Sequence, residues 1–227
     1  MSGPMKMYLY VHGAILREVA DIEAVAKELK WDDAGEVESL GERLDWFRMM
    51  TRRHEDSEEE VLFPALDQRI RFVAETYEFD HDDFEIHVFG GISRARTGLA
   101  RSTTSAELRG FGGELYRESV ALHEHMRLHI SKENELLLPH LETEFDVSEQ
   151  AEIAGAMAGM FDPQLMAQVV EFTYRWHSTA DRVAMVQFLQ AILPPPAFAG
   201  LTGLLAANNP DSWPEVERGL ADAPNVP

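Results

Sequence analysis

Two segments of the chain carry the same pattern of metal-binding residue types, His-x-x-x-Glu. His54 and Glu58 form the first copy, and His129 and Glu133 form the second. Four residues on an α-helix advance by about 400°, so each histidine and its glutamate project from one face, roughly 6 Å apart along the axis. Imidazole nitrogen and carboxylate oxygen suit iron, manganese and zinc. Each copy could therefore supply two ligands to one metal site.

The two copies belong to a longer internal repeat. Residues 54–66 align without gaps on residues 129–141, and six of thirteen positions are identical. A helix with a lone inward histidine precedes each copy, His12 in front of the first and His81 in front of the second. Such self-similarity predicts two related helical hairpins, each with one lone histidine and one His-x-x-x-Glu motif.

The elements that must position these residues are helices. Apolar residues recur at helical spacing over nearly the whole chain, without strand-like alternation between hairpin turns, which predicts an all-α protein. Four long helices are expected at about 7–30, from about 38 to beyond 65, at about 76–99 and at about 114–144. The inward stripe of the second helix is predicted as Leu40, Leu44, Phe47, Thr51, His54, Glu58, Val61 and Ala65, and that of the fourth as Leu115, Leu122, His129, Glu133 and Leu136.

Ionisable groups on these inward stripes need compensation. Burying carboxylates and imidazoles without partners costs several kcal/mol per group, and a pair of divalent cations would offset that cost directly. Six ligands are too many for one tetrahedral zinc ion. The sequence therefore predicts two metal ions bridged by Glu58 and Glu133, with this ligand set: His12, His54, Glu58, His81, His129 and Glu133.

Other polar residues lie close to these ligands along the chain. Tyr8 and Tyr77 stand one turn before the two lone histidines, where they would either hydrogen-bond to the ligands or simply pack in the bundle. A set of neighbouring acidic residues lies mostly off the inward stripe and is expected on a solvated face: Glu55, Asp56, Glu59, Glu60, Asp82 and Asp83.

The order of the motifs resembles the hemerythrin-like, or HHE cation-binding, proteins over roughly residues 5–145. That family's pattern is His, then His-x-x-x-Glu with an acidic and apolar run ending in Phe-Pro or a variant, then His, then a second His-x-x-x-Glu. Residues 58–64 match the run closely, and Leu138 replaces the phenylalanine in the second copy. The resemblance implies a four-helix up-and-down bundle around two non-haem iron ions with an oxo or hydroxo bridge, held by the same six residues, and a site for O₂ or a similar small molecule.

The third helix departs from the oxygen carriers of that family. Carriers have five histidine ligands, two of them one turn apart on the third helix, whereas the residue four after His81 is Glu85. Three residues are candidates for an additional position in or near the metal shell: His125, Glu85 and His140. A glutamate at this point would favour ferric iron or help to move protons. The departure therefore favours reaction with small oxidants over reversible carriage of O₂.

Composition limits the alternatives. The 227 residues include 40 acidic and 20 basic side chains, for a net charge of −20. That charge repels phosphate backbones and anionic lipids, so neither nucleic acid nor a membrane is an expected partner. The absence of cysteine excludes thiolate sites, disulfides and iron–sulfur clusters. With neither a leader pattern nor a bilayer-spanning apolar run, the expected location is the cytoplasm.

The C-terminal third differs from the rest of the chain in amino-acid composition. Residues 148–227 hold nine acidic and three basic side chains and a single histidine. We expect residues 1–147 to form the bundle and residues 148–227 to form an extension of three or four short helices, packed on the bundle or at a homodimer interface. Asp162-Pro163 predicts a helix start, three prolines at 194–196 predict a helix end, and a last helix is expected near Ser212.

The leading functional hypothesis is a non-haem di-iron protein that binds or reacts with O₂, NO or peroxide, with peroxide or NO decomposition as its enzymatic form. One alternative is an iron-responsive interaction module without turnover, and another is a reversible O₂ carrier. A ferritin-like oxidase is less favoured, because that fold expects two Glu-x-x-His motifs and only Glu78–His81 supplies one in this core.

Overall fold

The computed structural model describes residues 3–222, and every regular element in that range is helical. This confirms the predicted all-α class. None of the described helices combines the length and apolarity needed to cross a bilayer. Contacts divide the chain into two compact units. Within the described residues, one unit comprises 15–161 with 3–5, and the other comprises 6–14 with 162–222.

The first unit contains four long helical runs, as predicted for a hemerythrin-like bundle, and one shorter helix. Three of the runs change from α-helix to a short π-helix and back. The first run is α1 (Lys6–Glu28), of which the part from Ile15 belongs to this unit. The second run consists of α2 (Ala34–Ser57), π1 (Glu58–Leu62) and α3 (Phe63–Arg69), and the third of α4 (Glu75–Asp83), π2 (Phe84–Phe89) and α5 (Gly90–Arg101). The fourth run consists of α6 (Ser105–Lys132), π3 (Glu133–Leu137) and α7 (Leu138–Glu144), and the shorter helix is α8 (Val147–Gly159).

The fourth run starts nine residues earlier than the predicted position near Glu114. Thr104 and Glu107 explain this start, because they form a capping box. The Thr104 hydroxyl accepts a hydrogen bond from the Glu107 N–H, and the Glu107 carboxylate accepts one from the Thr104 N–H. A loop-like sequence of serine and threonine thus initiates the longest helix of the described chain.

Two of the π-helical segments begin at the motif glutamates. In π1 the Phe63 N–H donates to the carbonyl oxygen of Glu58, five residues back, and in π3 the Leu138 N–H donates to that of Glu133. The next residue in each case is a proline, which has no N–H and crowds the carbonyl group four residues before it. The wider π turn accommodates the proline without ending the run.

The π turns move the buried face by one residue. The sequence places Val61, Ala65 and Leu136 inward, but Leu136 is 60% exposed. The structure instead buries the residue that follows each of them: Leu62, Leu66 and Leu137. A π turn holds about one residue more than an α turn, so the stripe predicted from constant α-helical spacing is wrong beyond each motif glutamate.

The second unit has its own apolar core. Four helices form it with the first turns of α1: α9 (Pro163–Trp176), α10 (Thr179–Ile192), α11 (Pro195–Asn208) and α12 (Trp213–Asp222). Tyr174, Met185 and Val216 are buried there together with Tyr10 of α1. His177 Nε2 donates to the Tyr10 carbonyl oxygen at 2.8 Å, which ties these first turns to the C-terminal helices.

The unit boundary therefore differs from the predicted one after residue 147. Helix α8 belongs to the bundle unit, since Gln150 donates to the carbonyl oxygens of Leu141 and Phe145, and Ile153 of the same helix is buried. Residues 148–222 hold five helices instead of three or four. As predicted, a helix begins after Asp162 and the last described helix begins next to Ser212. Association into a homodimer stays a prediction.

Candidate metal centre

Each motif keeps its histidine and glutamate in contact on one helical face. His54 Nε2 lies 3.1 Å from Glu58 Oε1, and His129 Nε2 lies 3.3 Å from Glu133 Oε1. Both histidines come from the last turn of a long α-helix, and both glutamates open the π segment that follows it. The local geometry of the two copies is therefore the same.

His81 of α4 joins the two motifs. Its Nε2 atom lies 3.4 Å from Glu58 Oε2 and 3.2 Å from His129 Nε2. One ligand atom from each of four buried residues, Glu58, His81, His129 and Glu133, lies within 4.8 Å of the others. Metal bonds of about 2.0–2.2 Å place neighbouring ligands roughly 3–4 Å apart around one ion. The donor types and their separations therefore fit a metal cation.

Protons on the imidazoles also balance the negative charges of the buried carboxylates in this cluster. Burial of His129 disfavours its charged form, but the Glu133 carboxylate and Asp80 outweigh this and raise its pKa to about 10. Burial also opposes the charged form of His81, yet the Glu58 carboxylate raises its pKa to about 8. Burial of Glu133 is likewise outweighed by His129, so the pKa of Glu133 is lowered. Protonated imidazoles can thus offset the buried carboxylates, a role that the sequence assigns to metal ions.

The outer nitrogen of each central imidazole contacts a carboxylate. His81 Nδ1 donates to Glu59 Oε1 at 2.8 Å, and His129 Nδ1 donates to Asp80 Oδ2 at 3.1 Å. The prediction that Glu59 lies on a solvated face is therefore wrong, because its carboxylate is half-buried against a ligand. Asp80 carries no motif signal, since its role depends on a contact between two helices that spacing along one helix does not reveal.

Glu55 is a second residue for which the predicted position on a solvated face is wrong. It is only 5% exposed, and burial raises the pKa of its carboxyl to about 8, although the nearby charge of His81 acts in the opposite direction. A stripe through Thr51, Glu55, Glu58 and Leu62 has helical spacing as good as the predicted one. That alternative stripe is the signal that could have identified Glu55.

The three candidates for an additional position do not join the cluster of four. Glu85 is 36% exposed and forms a two-point ion pair with Arg48, whose Nε donates to Glu85 Oε2 at 3.1 Å. His125 is 45% exposed, with Nδ1 at 3.5 Å from Asp83 Oδ2. His140 is half-buried on α7 and lies outside the groups able to hold a metal among residues 3–222. Contacts with charged residues at the surface, Arg48 and Asp83, explain why Glu85 and His125 lie outside the cluster.

The remaining predicted residues surround the histidines with aromatic rings. His12 is fully buried on α1, in the part that belongs to the second unit, and its ring centroid lies 4.1 Å from that of Tyr8. Tyr77 donates its hydroxyl hydrogen to the Lys132 carbonyl oxygen at 3.4 Å, with its ring 6.3 Å from that of His129. Both tyrosines thus pack against predicted ligands.

Comparison with known proteins agrees with this site. The model of the hemerythrin HHE cation binding domain matches residues 5–141. The zinc finger protein BRUTUS of Arabidopsis thaliana is 27% identical over 191 residues, which cover 84% of this chain and 15% of that protein. A BRUTUS-like zinc finger protein of the same plant is 22% identical over 182 residues, covering 77% of this chain and 13% of that protein.

The chain therefore spans less than one sixth of the length of these relatives. No solved structure matches it significantly. The family match covers more than half of the chain, including both His-x-x-x-Glu motifs and both lone histidines. The chain belongs to the hemerythrin HHE cation-binding domain family, whose members bind metal cations.

Proposed function

We propose that the bundle binds two iron ions and that the protein binds or reacts with O₂, NO or peroxide. The observation that carries this proposal is the buried group of Glu58, His81, His129 and Glu133, in which ligands from both halves of the repeat converge. His54 adds a further imidazole beside Glu58. His12 completes the proposed ligand set by its motif position and its burial.

The position of Glu58 supports two ions rather than one. Its Oε1 atom faces His54 at 3.1 Å, whereas its Oε2 atom faces His81 at 3.4 Å. A carboxylate whose two oxygens address two different imidazoles is arranged to bridge two metal ions. With only nitrogen and oxygen donors and no cysteine in the chain, iron suits this set better than a four-coordinate structural zinc.

When bound, the iron pair would supply one-electron chemistry and a binding position for a diatomic molecule or peroxide. The protein supplies an apolar wall, because the Phe63 ring stacks on His81 with centroids 5.6 Å apart and the Phe84 ring lies 5.5 Å from that of His129. Glu55 supplies a buried carboxyl that holds a proton near neutral pH or offers an anionic oxygen. Glu55, unlike Glu85, is buried near the charges of His81 and Glu58, and this carboxyl supports reaction over reversible carriage.

A second candidate is an iron-responsive interaction module. The observation that favours it is the extent of similarity to the longer plant relatives, which covers 191 residues although the family match ends at residue 141. Helices beyond the bundle therefore belong to the segment shared with much larger proteins. In this case metal occupancy would stabilise the bundle without turnover.

Metal analysis with spectroscopy distinguishes these functions. The protein is purified from iron-replete cells, its metals per chain are counted, and its near-ultraviolet and visible spectrum is recorded reduced, in air and after peroxide. Two irons with a charge-transfer absorption that responds to the oxidant are expected. One zinc and no iron would contradict the proposal. Two irons without a spectral response, but with a large change in resistance to proteolysis, would support the interaction module.

A further inference from the structure

Exposed apolar side chains are concentrated where the third and fourth helical runs meet. Phe79 of α4 and Ile86 of π2 are exposed, and so are Leu128 of α6 and Leu136 of π3. Nine large apolar side chains are exposed among residues 3–222, and Phe79, at 71%, is the most exposed of them. A contiguous exposed apolar surface typically marks an interaction site. We call these four side chains the apolar seam.

Two polar contacts define where the runs meet. Asp80 Oδ2 accepts a hydrogen bond from Lys132 Nζ at 2.5 Å, and Asp83 Oδ2 lies 3.5 Å from His125 Nδ1. The two runs are therefore antiparallel at this point. Leu128 lies three residues after His125 and four before Lys132, so it belongs to the stripe of α6 that meets α4.

The other three members of the apolar seam lie beside the same contacts. Phe79 is four residues before Asp83 and Ile86 is three residues after it, which makes both of them its neighbours on one helix face. Leu136 is four residues after Lys132 and extends the α6 side. Apolar side chains therefore line both sides of the junction between the two runs.

The first half of the internal repeat shows what covers the equivalent position. The segments around the two lone histidines, residues 6–17 and 75–86, share their spacing, and Tyr10 corresponds to Phe79. Tyr10 is only 9% exposed, because it lies in the apolar core that α9 to α12 form around Tyr174. A position covered by helices in one half thus corresponds to an exposed position in the other.

The charges around the two positions are opposite. Residues 6–17 contain two basic side chains, Lys6 and Arg17, and no acidic one. Lys6 Nζ lies 5.7 Å from the centroid of the Tyr10 ring. Residues 75–86 contain no lysine or arginine and six acidic side chains: Glu75, Glu78, Asp80, Asp82, Asp83 and Glu85. A partner that covers the apolar seam must therefore be basic.

We propose that the apolar seam binds the apolar face of a basic amphipathic helix of a partner protein. Phe79 and Ile86 are seven residues apart, about 10 Å along the axis, which matches apolar residues at i, i+3 or i+4 and i+7 on a bound helix. Lysine or arginine beside that face would pair with the exposed carboxylates. The proposal goes beyond the metal centre and does not depend on the number of ions bound.

Charge also decides against two other occupants. The seam of a second copy would bring the same six carboxylates to the contact, and the C-terminal residues 148–227 of a second copy hold nine acidic and three basic side chains. An anionic membrane would be repelled for the same reason. A basic helix is the occupant that satisfies both the apolar residues and the surrounding charge.

Methyl NMR with a synthetic peptide tests the proposal. A helical peptide of about five turns, with leucine on one face and lysine elsewhere, is titrated into the full-length protein at low ionic strength. The methyl signals of Ile86, Leu128 and Leu136 should shift, whereas that of Ile192, which is exposed in the second unit, should not. Added salt should weaken binding, and a peptide with glutamate in place of each lysine should not bind.

Matched variants locate the binding energy. Phe79→Ser and Leu128→Ser should each weaken peptide binding by about tenfold, whereas Ile192→Ser should leave it unchanged. The combined change of Glu78→Gln and Asp82→Asn should reduce the dependence of binding on salt. All these side chains are exposed, so the melting temperature and the metal content should stay at the unmodified values.

Three results with the peptide would overturn the proposal: no binding at millimolar peptide, equal binding of the glutamate peptide, or equal affinity in Phe79→Ser and Ile192→Ser. Ultracentrifugation and vesicle binding test the other occupants. A dimer that dissociates in Phe79→Ser would assign the apolar seam to a second copy. Binding to phosphatidylserine vesicles that Phe79→Ser abolishes would assign it to a membrane. Either assignment would also overturn the proposal.

Discussion

The two copies of the His-x-x-x-Glu motif share a backbone but differ in what surrounds them. In both copies the glutamate opens a π segment and the histidine lies within 3.3 Å of it. In the first copy the carboxylate of Glu58 contacts two imidazoles, those of His54 and His81. In the second copy it is the imidazole of His129 that has two carboxylates, Glu133 and Asp80.

The difference shows how a repeated motif acquires two roles. The repeat sets the spacing of ligands along each helix, whereas contacts from the third run decide what each ligand does. His81 of α4 contacts Glu58 of the first copy and His129 of the second, and Asp80, the residue before it, adds a further contact to His129. Glu58 thereby contacts two imidazoles, and the outer nitrogen of His129 is held by a carboxylate.

The largest expected effect comes from removing the two motif glutamates. Glu58→Ala should abolish most iron binding, because two imidazoles lose their shared partner, and Glu133→Ala should remove at least one iron. Each change leaves buried imidazoles with less compensation and should lower the free energy of unfolding by about 3–5 kcal/mol. Metals per chain and thermal melting measure both effects.

Glu60→Ala and Glu135→Ala are the matched controls, since they occupy equivalent exposed positions two residues later in the two copies. Full iron content and an unchanged melting temperature in both glutamate variants would mean that neither carboxylate is a ligand.

Metal affinity should rise with pH, and the second copy should account for most of the rise. The raised pKa values, about 8 for His81 and about 10 for His129, mean that a proton held between the two Nε2 atoms at pH 7 must be displaced when a metal ion binds. Each displaced proton adds about a tenfold gain in affinity per pH unit below the corresponding pKa. Competition with a chelator from pH 6 to 9 measures the slope, which should be smaller in His129→Ala.

The metal-free protein should show the opposite trend in stability. Both imidazoles have folded-state pKa values above the ordinary value of 6.5, so their contribution is complete below that pH and is lost as pH rises through about 8 and then about 10. Denaturant unfolding of metal-free protein should therefore show decreasing stability from pH 6.5 to 10. A rise over that interval would contradict the ion-paired arrangement.

A smaller effect is expected at Glu55, which belongs to neither of the two His-x-x-x-Glu motifs. Glu55→Gln keeps the shape of the protonated carboxyl and should lower iron content only modestly while slowing peroxide decay. Glu60→Gln again serves as the control, and equal peroxide kinetics in both variants would exclude a role for Glu55.

The smallest effects are expected at His125 and Glu85. His125→Ala and Glu85→Gln should keep full iron and an unaltered spectrum, because their side chains contact Asp83 and Arg48 at the surface. Loss of iron in either variant would return that residue to the ligand set and would require a rearrangement of the bundle surface.

Much of the site follows from the sequence because ligand spacing along a helix is a local property. His54, Glu58, His129 and Glu133 are identified by the repeat alone. The contacts of Glu59 and Asp80 were not predictable, since they join different helices and their partners are set by helix rotation. Glu55 was missed because two stripes with equally good helical spacing share Glu58, and only packing against the third run selects between them.

The fold shows the same division between local and distant causes. Asp162-Pro163 marks a helix start by its own chemistry, and the structure has a helix there. The assignment of α8 to the bundle depends on distant contacts of Gln150, and the assignment of Lys6–Ala14 to the other unit depends on Tyr10 and His177. Composition changes near residue 148 carry no information about such contacts.

The two π segments that begin at the motif glutamates, π1 and π3, are places where the length of a helical run can change. In π1 the hydrogen bond from Phe63 to Glu58 encloses one residue more than an α-helix requires. Deleting Glu60 would turn that bond into an ordinary helical one and leave both ends of the run facing as before. Deleting Met49 would instead rotate everything beyond it by about 100°. Because Pro64 needs the wider turn, a one-residue deletion directly after Glu58 combined with replacement of Pro64 should be tolerated better than a deletion elsewhere in this run.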